Sequence, residues 1–234
     1  MGGGAIDLVM HLAEVDFRQA VVWLEQHLGV PAVQAPTTSV SSSAATETST
    51  HRLSLPVPCE GLLPRVRRYL TETRRLPAVL LEPLIDSGKL YADRRGNPVF
   101  VMTAGRTNLP TGTELRGTGR EAWRSMAPGS RKDAGFFWTG ESTTRAIVLC
   151  ESAIDALSCR ALHPDRITIS TAGARSSSRW LCCLIDRGYH IYCGYDTDEV
   201  GEQDAAKMVE KYPTVQRLCP TAHDWNGALI AHVS

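Results

Sequence analysis

The chain lacks any long apolar run: nowhere do its 234 residues offer the roughly 18 to 20 consecutive apolar side chains that a bilayer-spanning helix needs. Nor does "MGGGAIDLVMHLAEVD" carry the basic leader of a secretory signal, so the expected compartment is the cytoplasm, with no membrane partner. Seven cysteines occur without one C-x-x-C pair, which argues for reduced thiols, several of them packed as small hydrophobes inside apolar runs. The seven histidines form neither H-x-H nor H-x-x-x-H, so no structural zinc is expected in this chain. Net charge is absent too, but only in sum. Residues 1–60 carry 2 basic and 6 acidic groups, residues 61–140 carry 14 and 7, and residues 141–234 carry 9 and 12. A basic middle thus precedes an acidic end, an asymmetry that suits a polyanion on one lobe and a divalent cation on the other.

Residues 5–29 place Ile6, Val9, Met10, Phe17, Val21, Leu24 and Leu28 at helical spacing, with Asp16 as an N-cap and Gly29 as a stop, so a helical hairpin is expected over 1–30. The Ser-, Thr-, Ala- and Pro-rich stretch 31–60 has almost no large side chains to offset its ordering entropy and reads as a flexible linker. From Gly61 to residue 142, helical patterns in "LLPRVRRYLTETRRL" and "PAVLLEPLIDSGKL" give way to short β-like runs, "GNPVFVMTA", "GTELRGTG", "EAWRSMA" and "GFFWTG", which predicts a basic α+β lobe. Over 143–234 the pattern is regular: "AIVLC", "ITIS", "HIYCGY" and "VQRLC" as strands, with helices between them. Strands that are apolar throughout predict an α/β domain with a mostly parallel four-stranded sheet covered on both faces. Functional groups of such sheets gather at the carboxyl ends of the strands.

Carboxylates stand at that edge. Glu151 ends the first of these strands, and Asp155 follows four residues later on a helix that Ser152 caps. Asp196 and Asp198 end the third strand, two residues apart, where their side chains can share one cation. Asp224, in "HDWN" after the fourth strand, can add an oxygen. Hard oxygen donors without His or Cys select Mg²⁺ or Mn²⁺. Glu199, Glu202 and Asp204 read instead as the solvated first turn of the following helix.

The succession "VLCESAIDALS", "ISTAGA", "YDTDEVGEQDA" and "HDWN" resembles a Toprim domain, the Rossmann-like module shared by bacterial primases, type IA and II topoisomerases and some nucleases. The resemblance implies that Glu151, Asp196 and Asp198 hold two catalytic metal ions, with Asp155 and Asp224 at accessory acidic positions. The lines "LPRVRRYLTETRRLP", "GNPVFVM", "ELRGTG" and "APGSRKDAGFFWTG" resemble the basic lobe of a primase core, as in primase-like proteins of plasmids and other mobile elements. Residues 2–29 are similar to the segment that follows a primase zinc ribbon, whose ligands this chain does not contain.

Arg65, Arg67, Arg68, Arg74 and Arg75, with Arg120 and Arg124, are expected to line a groove for single-stranded nucleic acid. Arg116, Arg131, Lys132 and the Gly173 turn are expected to bind the phosphates of a nucleotide. The implied function is metal-dependent synthesis of short RNA primers on a single-stranded DNA template from nucleoside triphosphates, with a replicative helicase as a candidate partner. A metal-dependent nuclease and a catalytically silent nucleic-acid-binding module remain open. Against the nuclease stands the lack of any evident histidine with an orienting partner near these motifs.

Overall fold

A computed structural model describes residues 52–105, 107, 109–119, 123–141 and 143–234, all within the compact unit Ser49–Ser234. The expected hairpin over 1–30, most of the expected linker, and Arg120 lie outside the described residues.

Pro64 opens the first helix, α1 (Leu63–Arg68), where its missing N–H is no loss; the helix widens into a π-helical turn over Tyr69–Thr73. Arg75, at φ 55°, ends it. Helix α2 (Ala78–Asp86) stops before Gly88, whose φ of 69° suits a residue without a Cβ. Strands β1 (Leu90–Ala92), β2 (Pro98–Thr103), β3 (Pro110–Arg116) and β4 (Arg124–Met126) form an antiparallel meander in that order. The β1–β2 turn is held by the Asp93 carboxylate, which accepts from the amides of Arg95 and Asn97, both at 2.8 Å.

The second sheet has the order β5-β7-β6-β8-β9, from Phe137–Thr139, Ile167–Ser170, Ala146–Cys150, His190–Cys193 and Gln216–Arg217. Four of its strands are parallel, as the apolar runs predict; β5 adds an antiparallel fifth beside β7. That strand comes from "GFFWTG", whose second residue, Phe136, exchanges both main-chain bonds with Thr103 of β2 at 3.0 Å. Phe137 meets Phe100 edge-on at 5.4 Å. The same hexapeptide therefore stitches the two sheets together. Helices α3 (Ala153–Leu162), α4 (Arg179–Asp186), α5 (Glu199–Lys211) and α6 (Trp225–Val233) cover the sheet.

Strand β6 shows why its run is uninterrupted. Val148 and Cys150 face a core shared with Leu70, Leu81, Phe100, Leu157 and Trp225, while Ile147 and Leu149 face another with Ile169, Ile191, Tyr195 and Met208. The first core spans both lobes, each buried Leu, Ile or Phe adding about 1.5–3 kcal/mol. Cys150, Cys159 and Cys193 are buried as expected; Cys182 and Cys183 are exposed, because only Leu181 of α4 is fully turned into the core, and Cys219, past β9, is exposed as well. Among the described residues no helix is long and apolar enough to cross a membrane.

Candidate metal and nucleotide site

Three helix starts deliver acids to the carboxyl edge of the parallel sheet. Glu151 leaves β6 just before the cap of α3, and its Oε1 accepts from the Asp196 amide at 3.1 Å. Asp198 caps α5, accepting from Gly201 N at 2.8 Å, and Asp224 caps α6, accepting from Gly227 N at 2.5 Å. Asp196 lies between them with Oδ1 buried and without a hydrogen-bond partner. Burial, followed by the fields of Asp155, Glu151, Asp224 and Asp198, pushes its carboxyl up to about 8. Glu151 is raised as well, by burial first and then by Asp198 and Asp155. Asp155 sits beneath this edge: Ser152 Oγ donates to one oxygen and the Asn226 amide to the other at 3.3 Å, and burial raises its carboxyl too.

An unpartnered buried carboxylate oxygen facing four further acids is a donor set suited to a hard divalent ion. Among the described residues, no three His, Cys, Asp or Glu side chains are already gathered tightly enough to enclose one. Asp198 and Asp224 each commit an oxygen to a helix cap, and Asp155 commits both. The remaining half-shell fits magnesium, which keeps several waters. Among the described residues, Glu151, Asp196 and Asp198 form no ion pair with an arginine.

Across a cleft of about 230 Å³ from Glu151 stand Arg116, Arg124 and Lys132. Arg116 and Arg124 are directly opposed across β3 and β4. Lys132 donates through Nζ to the carbonyl of Ala172, and burial lowers its pKa. The structure thus brings three of the expected basic residues to the acids and sends others elsewhere. Arg131 lines a separate hollow with Arg52 and Ser130. Arg67 pairs with Glu82 at the surface, and Arg74 binds Tyr69 Oη at 2.8 Å and Asn226 Oδ1 at 3.3 Å, so both already have partners within the protein. Arg65, Arg68 and Arg75 are exposed, Arg65 lying over Gly96. Gly173 lines the cleft, but its N–H donates to Glu151 O at 2.7 Å, which corrects the expectation that this amide is free for phosphate.

Four residues escaped the sequence reading. Glu114 of β3 is buried, its carboxylate accepting from Ala153 N at 3.1 Å and from Ser170 Oγ, so the basic lobe holds the first turn of α3. Asn226 donates to Arg74 O at 2.8 Å and to Ser158 Oγ at 3.0 Å, a second tie between lobes. Gly201 is placed inside α5, where glycine costs about 1 kcal/mol against alanine. A Cβ there would stand 2.3 Å from Asp196 O and 2.9 Å from Glu151 Oε1. A glycine in the first turn of a helix, three residues after the D-x-D, was the available signal. His223 sets Nε2 3.8 Å from Asp198 and Nδ1 3.9 Å from Asp224, so an exposed histidine does stand near the motifs, though at neither distance is it held by a hydrogen bond.

Residues 148–229 match the family described as Toprim-like, and residues 68–141 match one described as a protein of unknown function, DUF3991. A 65 kDa protein of Zymomonas mobilis is 28% identical over 256 residues; the match takes in 98% of this chain and 42% of that protein's length. The primase fragment of the bacteriophage T7 primase-helicase protein superposes with a TM-score of 0.51 at 16% identity over 68% of each chain. The DnaG catalytic core gives 0.52 at 16% identity over 73% of this chain and 74% of that one. At such identities the likeness is one of fold. The chain carries a Toprim-like domain, set within the fold of bacterial and phage primase catalytic cores.

Proposed function

We propose that the protein is a primase-type nucleotidyltransferase that makes short RNA primers on single-stranded DNA, with Mg²⁺ or Mn²⁺ held by Glu151, Asp196 and Asp198. The observation that carries this reading is the unpartnered, buried Asp196 oxygen at an edge of five carboxylates, one of which, Glu151, also lines an open cleft with Arg116, Arg124 and Lys132. When bound, divalent ions would neutralise charge developing on the transferred phosphoryl group. The chain's own residues do the rest. Glu151 and Asp198 are fixed by the Asp196 amide and the Gly201 amide, so their free oxygens are oriented before any ligand arrives. Arg116, Arg124 and Lys132 supply the cationic side that binds and orients triphosphate oxygens.

Asp196→Asn and Asp198→Asn should each abolish metal-dependent extension on a single-stranded template with labelled nucleotides, while circular dichroism stays native. Wild-type rates in both would show that the site is misassigned. His223, exposed beside Asp198 and Asp224, supplies the one histidine near the acids for a second reading, hydrolysis of a phosphodiester, in which a neutral imidazole would take a proton from water through its free ring nitrogen. An end-labelled strand incubated with metal, with and without nucleotides, separates longer products from shorter ones.

A further inference from the structure

Trp123 is 40% exposed, the one exposed tryptophan among the described residues. Its placement is specific. The carbonyl of Trp123 accepts from Gly117 N at 3.0 Å, and the indole lies on that glycine so closely that a Cβ at 117 would be 2.3 Å from Nε1. Trp123 lines a hollow of about 340 Å³ with Arg94 and Arg95, which the Asp93-braced turn presents outward. This hollow adjoins the catalytic cleft: Leu115, Ser125 and Met126 line both. Arg94, Arg95, Arg116 and Arg124 belong to no ion pair among the described residues. No carboxylate neutralises these four cations through an ion pair, and together they supply charge complementarity to a polyanion beside an open aromatic surface.

We infer that Trp123 is a stacking platform for one base of a single-stranded polynucleotide, whose phosphates Arg94, Arg95 and Arg124 hold as the strand runs toward Glu151. The inference rests on the proposed function for the direction of the strand, not for the binding itself. Aromatic stacking tolerates any base, and interleaved arginines follow the backbone, the arrangement that binds single strands without reading sequence.

The test is fluorescence anisotropy with labelled oligo(dT) and with an abasic strand of equal length, in the absence of metal and nucleotides. Trp123→Ala should weaken oligo(dT) binding by about 5- to 150-fold, as expected for one lost stack, and leave abasic binding and the salt slope unchanged. Trp123→Phe should recover most of the affinity. Arg94→Ala and Arg95→Ala should each lower the salt slope by about one on both strands. Photocrosslinking of unmodified protein to a 5-iodouracil strand should map to Trp123. Equal oligo(dT) affinity in wild type and Trp123→Ala overturns the inference, as does an equal loss on abasic DNA or a platform covered only by a protein partner. Failure to extend primers while oligo(dT) binding still depends on Trp123 sinks the polymerase reading alone.

Discussion

Replacing Asp196 by asparagine should make the metal-free protein more stable. The carboxyl moves from 3.8 to about 8 on folding, chiefly because burial disfavours its charge and then because of the surrounding acids. A raised folded-state value means that the folded protein holds the proton more tightly. The group's full stability is therefore present below its unfolded value of 3.8 and is lost progressively as pH rises through about 8. Unscreened, that loss would reach about 4 kcal/mol at pH 7; Asp196 is only half-buried, and solvent screening reduces it to about 1–2 kcal/mol. Asparagine of the same shape removes the ionisation. In chelator at pH 7, Asp196→Asn should melt about 2–8 °C above wild type, with a smaller gap at pH 5 and a wider one at pH 9. Magnesium should raise the wild-type melting temperature and leave that of the variant in place. A variant that melts below wild type in chelator would refute the electrostatic account of Asp196, and one that still responds to magnesium would refute its place in the metal site.

Glu114→Ala would leave the buried Ala153 amide and Ser170 hydroxyl without their acceptor and should cost about 2–4 kcal/mol in urea denaturation, most of it restored by Glu114→Gln. Gly201→Ala improves helix propensity by about 1 kcal/mol, yet its Cβ would press on Asp196 O; melting should fall rather than rise, and the magnesium response should shrink with it. His223→Ala should abolish strand cleavage if the hydrolytic reading holds and leave primer extension within a few-fold if the polymerase reading holds, both scored on one gel.

The sheet that carries the acids was legible chiefly through β6, apolar from Ala146 to Cys150 and followed at once by Glu151, with the buried runs of β7 and β8 beside it and Asp196 three residues past the end of β8. Strand β1 was not: three residues, "LYA", give no period, and only pairing with Val99 and Phe100 defines them. The affiliation of β5 depends on Ser170, Ile169 and Thr168, more than two dozen positions away, which no local pattern reports. Glu114 looks like the polar face of an alternating strand until the other lobe is set against it. Arg67 and Arg74 belong to an apparent basic stripe that tertiary neighbours divide, one taken by Glu82 and the other by Asn226. The acids were readable individually; their unequal commitments to helix caps were not.

The hydrophobic packing that runs without a break from Leu70 and Phe100 to Leu157 and Trp225 also sets how the cleft can behave. Prising its walls apart would expose several large side chains at about 1.5–3 kcal/mol each, beyond what ordinary thermal motion supplies. The gap works as a vise with a fixed opening, not as jaws. If the proposed primer synthesis holds, a growing duplex would have to leave lengthwise, so product width, more than any closing movement, would govern how long a chain stays engaged.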